Sequence, residues 1–128
     1  MAEASGWRLL AEKPGEFVQR TMVLPLQVPD SGIRIDFIFS YSPYERQALD
    51  RVRRVSLGKA TVRFASVEDV IVQKVVAGRP RDLEDARGIL LKSPAYDRGY
   101  IRSWLTEFDR SLEEHFLETF EKLAQSTP

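Results

Sequence analysis

The sequence predicts an α+β fold, with a mixed or antiparallel sheet followed by a C-terminal helical half. Three observations carry this. Residues 32–40, GIRIDFIFS, alternate side chains with the period of a strand. Residues 66–124 carry apolar side chains at helical spacing instead. Turn signals punctuate both halves, Pro29-Asp30-Ser31-Gly32 in the first and Ser93-Pro94 in the second. The length of 128 residues fits one domain. Residues 1–65 are expected to be mainly strands with one helix, and residues 66–125 helices.

In chain order, Gly6 to Leu10 is expected to form a short strand. Phe17 to Val28, rich in apolar and β-branched residues, reads as a second strand. Gly32 to Ser40 is a third, paired with it as an antiparallel hairpin. On it Ile33, Ile35, Phe37 and Phe39 point one way, and Arg34, Asp36 and Ile38 the other. Ser42-Pro43 is a helix start, with Ser42 as N-cap and Pro43 in the first helical position. That helix runs to about Arg51. Arg54–Leu57 and Ala60–Phe64 then form two strands joined at Gly58-Lys59. Ser66 caps a helix on which Val67, Val70, Ile71 and Val75 follow helical spacing, with Glu68 and Asp69 beside the positive end of its dipole. Gly78 ends it. Pro80 opens the next helix, with Leu83, Ala86, Leu90 and Leu91 inward. Asp97 caps a third, with Ile101, Trp104, Leu105 and Phe108 inward. The fourth, Ser111 to Ala124, uses Leu112, Phe116, Phe120 and Leu123.

Composition narrows the chemistry. The 19 basic and 19 acidic residues cancel, so no net field draws nucleic acid or an anionic membrane, and no strong nucleic-acid signal stands out. Cysteine is absent, which removes disulfides and thiolate catalysis and suits a cytoplasmic setting. No apolar run approaches the roughly 20 residues of a membrane span, so no membrane partner is expected. The N-terminus lacks the layout of a secretion signal. There is no internal repeat and no glycine-rich phosphate loop.

A few charged residues sit where charge needs a reason. Asp36 lies inside an apolar strand, where an unpaired buried carboxylate is costly. It faces solvent, pairs with Arg34 or Arg20, or binds a metal. Metal binding needs a further carboxylate nearby, because a hard divalent cation takes several oxygen ligands. Lys74, between Ile71 and Val75, either snorkels its ammonium to water or aims it at a phosphate. In Arg79-Pro80-Arg81-Asp82-Leu83-Glu84-Asp85, Asp82 falls in the first turn of a helix and Asp85 one turn on. The cluster is either a cap with an Arg–Asp ion pair or the border of a nucleotide cleft. His115 has no second histidine, and the expectation for it is a surface or helix-packing role.

Asp36 in G-x-R-x-D, then Ser66-Val67-Glu68-Asp69 with Lys74, then Arg79-x-Arg81-Asp82-x-x-Asp85, resemble in order the small bacterial nucleotidyltransferases related to abortive-infection type IV toxins of toxin-antitoxin systems. The resemblance covers roughly residues 5 to 110. It implies a partial nucleotidyltransferase-like fold and magnesium-dependent transfer of a nucleotide from a nucleoside triphosphate to a hydroxyl. It places Asp36 as the catalytic and metal carboxylate of a neighbouring strand. Lys74, Arg79, Arg81, Asp82 and Asp85 would border the nucleotide and its phosphates. Arg81 stands where such proteins usually carry lysine. Their Gly-Ser turn and Asp-x-Asp pair have no counterpart in this sequence. The chain alone is therefore expected to be inactive, a degenerate relative or one completed by another polypeptide. A different class is also open: a non-catalytic protein-binding or assembly module, with an exposed sheet edge favouring a homodimer.

Overall fold

In the computed structural model, which describes residues 5–126, the chain is α+β. It packs as two compact units, Met1–Glu45 and Arg46–Pro128. Both sheets are antiparallel.

The first unit holds a three-stranded sheet in the order β1-β2-β3, with β1 Arg8–Leu9, β2 Val23–Gln27 and β3 Arg34–Ile38. The expected hairpin is present, with Pro25 opposite Asp36 and Leu26 opposite Ile35. Its turn closes through Gly32, whose φ of +70° lies in the left-handed region that glycine enters without a Cβ penalty. Leu26 is fully buried and Trp7 stacks on Phe37 with ring centroids 6.2 Å apart. The second strand, however, does not begin at Phe17. Helix α1, Pro14–Thr21, occupies that stretch. Pro14 is preset for a helix start, Glu16 sits in the first turn, and Met22 closes the helix in the left-handed conformation at φ 59°. The apolar Phe17 and Val18 read equally well as strand or helix, and the proline decides for helix. Where one helix was expected in this half, the described residues therefore include both Pro14–Thr21 and Pro43–Asp50.

Helix α2, Pro43–Asp50, begins with the cap read from the sequence. Ser42 Oγ accepts from the Glu45 amide at 3.2 Å, and Glu45 Oε2 accepts from the amides of Tyr41 and Ser42 at 2.9 and 3.0 Å. This reciprocal pair satisfies donors that a helix start leaves open. The Tyr41 amide bond holds the Glu45 carboxyl below its ordinary pKa.

In the second unit, β4 Arg53–Leu57 and β5 Ala60–Phe64 form a two-stranded hairpin turning at Gly58. Four helices follow: α3 Val67–Ala77, α4 Pro80–Lys92, α5 Arg98–Leu112 and α6 Phe116–Gln125. Their shared core is Ile71, Val72 and Val75 of α3, Ala86 and Leu90 of α4, Ile101 and Leu105 of α5, and Phe120 of α6. Burying each larger side chain stabilises by about 1.5–3 kcal/mol. Some expectations fail here. Leu91 and Leu112, expected inward, are exposed, as is Val67. The last helix starts at Phe116 rather than Ser111, because Glu113 turns left-handed and Asp109 accepts from the Phe116 and Leu117 amides at 2.5 and 3.2 Å. No helix among the described residues is long and apolar enough to cross a membrane.

Candidate functional site

Four of the charged residues singled out by sequence, Lys74, Arg79, Asp82 and Asp85, meet at the turn between α3 and α4. Gly78 ends α3 in the left-handed conformation, with its amide bonded to the Lys74 carbonyl. Arg79 then precedes Pro80, which starts α4. This tight turn brings the last turn of α3 against the first turn of α4. Lys74 Nζ donates to Asp85 Oδ2 at 3.0 Å and to Asp82 Oδ1 at 3.3 Å. Arg79 donates to Asp82 through Nε at 2.5 Å and Nη2 at 3.2 Å. Asp82 thus bridges two cations while its own side chain is only 1% exposed. The N-cap residue of α4 is Arg79, which makes no side-chain cap bond, and Asp82 lies in the first turn bonded to the two cations instead.

The charges explain the proton affinities. The Arg79 guanidinium, helped by Lys74, pulls the Asp82 carboxyl down to about 2 against the penalty of burial. Hydrogen bonds to Asp85 and Asp82 push the Lys74 ammonium up, and Asp82 does the same to Arg79. Asp82, Lys74 and Arg79 are charged across the physiological range. Arg79 keeps 65% of its side chain exposed and Lys74 31%, so both cations remain reachable from solvent. Arg81 is exposed and stands outside these bonds.

Asp36 belongs to the first unit. It sits on the open face of β3, paired to Arg34 Nε at 2.8 Å, with side chains 39% and 65% exposed. Of the alternatives the sequence left open, Asp36 both faces solvent and pairs with Arg34. Among the described residues no group of three or more histidines or carboxylates comes together to hold a metal.

A second network escaped the sequence reading. Asp69, fully buried, accepts from Ser66 Oγ at 2.7 Å and from the Tyr100 hydroxyl at 2.6 Å. Arg51 lies over the Tyr100 ring at 3.8 Å, with its guanidinium 3.9 Å from Asp69 and 3.7 Å from Glu68. The Asp97 amide donates to Glu68 at 2.9 Å. Burial pushes the Glu68 carboxyl up, but the Asp97 amide and the charges of Arg51 and Arg53 outweigh it and leave the pKa below its ordinary value. Burial, then the bond to Asp69, pushes the Tyr100 hydroxyl well up. Ser66 and Asp69 carried a capping signal in the sequence, but nothing local pointed to Tyr100 or Arg51. This network ties the starts of α3 and α5 together and is structural in geometry. His115 is exposed at the start of α6 and makes no side-chain cap bond there. No family model matches the chain, and no curated protein or solved structure proved significantly similar to it.

Proposed function

We propose that the chain is a cytoplasmic nucleotidyltransferase-like domain whose Lys74–Arg79–Asp82–Asp85 corner borders a nucleotide, and which transfers nothing by itself. One observation carries the reading: four residues implied by the family resemblance converge on one corner of α3 and α4, with two reachable cations. In this reading Lys74 and Arg79 meet phosphates, and Asp82 and Asp85 hold the two cations in place until a phosphate competes for them. Arg81 adds charge beside them, and Asp36 is the relic of a metal carboxylate. One aspartate does not hold two magnesium ions, and the sequence contains no Gly-Ser followed by Asp-x-Asp.

The test has two arms. Fluorescent ATP and GTP analogues should bind the chain, and Lys74→Ala with Arg79→Ala should weaken that binding about tenfold or more. Absence of binding at millimolar nucleotide overturns the assignment of the corner. Labelled nucleoside triphosphates with Mg²⁺ or Mn²⁺ and mixed RNA or protein acceptors should give no transfer. Metal-dependent labelling that Asp36→Asn abolishes overturns the inactive reading.

A second reading is favoured by a separate observation. Ile33, Ile38 and Tyr41 of the first unit are more than half exposed. An assembly module that uses these side chains against protein would show concentration-dependent sedimentation, reduced by Ile38→Lys, and no nucleotide binding.

A further inference from the structure

The chain's net charge of zero conceals a local separation. From Arg51 to Ser66 there are five cations, Arg51, Arg53, Arg54, Lys59 and Arg63, and no carboxylate. The rest of the chain holds 14 basic and 19 acidic residues. Arg51 is absorbed by Glu68 and Asp69. The others sit on the β4–β5 hairpin, where the register sorts them. Arg54 stands opposite Arg63, and Ser56 opposite Thr61. Directly paired residues share a face, so one side of the hairpin presents two guanidinium groups and two hydroxyls, with Lys59 at the turn. The other side carries Arg53, Val55, Leu57, Ala60, Val62 and Phe64.

Like charges directly opposite one another destabilise a hairpin. Arg54, Lys59 and Arg63 are exposed, and none has an ion-pair partner among the described residues. A two-stranded hairpin is itself marginal in stability. The arrangement is unfavourable unless an anion lies between the two arginines. A row of donors spaced about 7 Å along a strand suits an extended chain of phosphates better than a single ion. A lipid surface fits less well, because the apolar side faces away from the donors.

We propose that this face of the β4–β5 hairpin binds the phosphodiester backbone of a nucleic acid, with Arg54, Arg63 and Lys59 on phosphates and Ser56 and Thr61 hydroxyls donating beside them. The site does not depend on the nucleotide corner at the α3–α4 turn. It reads backbone rather than sequence, since arginine and lysine contacts to phosphate carry no base information.

The test is fluorescence anisotropy of the full chain with a labelled oligouridylate and a labelled DNA duplex. Binding in the micromolar range is expected at about 50 mM salt. For a single strand and three cations, the log–log salt slope should be about −2. Arg54→Gln with Arg63→Gln should weaken binding about tenfold or more, while Arg87→Gln with Arg110→Gln leaves it unchanged. The hairpin double variant should melt at or above the temperature of the unaltered chain, because the repulsion is gone. If it fails to fold, Lys59→Gln alone should make the slope shallower by about 0.7. The proposal is overturned by absence of binding to either nucleic acid at low salt. It is equally overturned by unchanged affinity in the folded hairpin variants, or by equal affinity for polyglutamate or for anionic phospholipid vesicles.

Discussion

The Tyr100 hydroxyl donates to the buried Asp69 carboxylate at 2.6 Å across 31 residues of sequence. The bond joins the first turn of α5 to the capped start of α3, and the Arg51 guanidinium stacks on the outside of the same ring. Tyr100→Phe keeps the ring and the stack and removes one donor from a carboxylate with no access to water. The expected loss is about 1–3 kcal/mol, seen as a lower urea midpoint with an unchanged m-value. An unaltered midpoint would show that Asp69 finds a replacement donor.

Asp82 makes stability depend on acid pH. Its folded pKa is about 2 against an ordinary value of 3.8. The unfolded chain therefore takes up a proton first as pH falls. The contribution is fully present above about pH 4 and is lost as pH falls through about 2. Urea midpoints of the unaltered chain should drop across that window, and Asp82→Asn should flatten the drop while lowering the midpoint at neutral pH. Parallel profiles would mean other carboxylates carry the acid transition.

Gly78 ends α3 at φ +68° and sets the turn that brings Lys74 to Asp82 and Asp85. A Cβ there would meet the Val75 carbonyl at 3.5 Å, an ordinary contact, so the cost of Gly78→Ala is conformational rather than steric. It should be about 1–2 kcal/mol by thermal or urea denaturation. A change below a few tenths would show that the turn relaxes to another conformation.

The Arg34–Asp36 pair is exposed on both sides. Pairs of that kind contribute about 0–1 kcal/mol. Asp36→Asn should shift the melting temperature little, with or without Mn²⁺. A large metal-independent loss would make Asp36 part of the scaffold; a Mn²⁺-dependent stabilisation of the unaltered chain alone would make it a metal ligand.

What the sequence determined by itself was local. Ser66, Gly78, Pro80, Ser42 with Glu45, and the hairpin at Gly58 each act within a few residues. Capping geometry and backbone conformation are chosen at that range, so these elements lie where the pattern placed them. The alternation around Asp36 set it on the face opposite Ile35 and Phe37 but left open what that face meets. Phe17 to Thr21 was ambiguous, because five residues with two apolar side chains suit either period, and Pro14 settled it from outside the window. Tertiary structure alone decided the rest. The pairing of Lys74 with two carboxylates depends on how α4 turns back along α3. The burial of Glu68 and Asp69, which sequence marks as surface residues, depends on Arg51 and Tyr100 arriving from distant segments. Charged groups enter an interior only when partners meet them there, and such partners are set by packing rather than by neighbours in the chain.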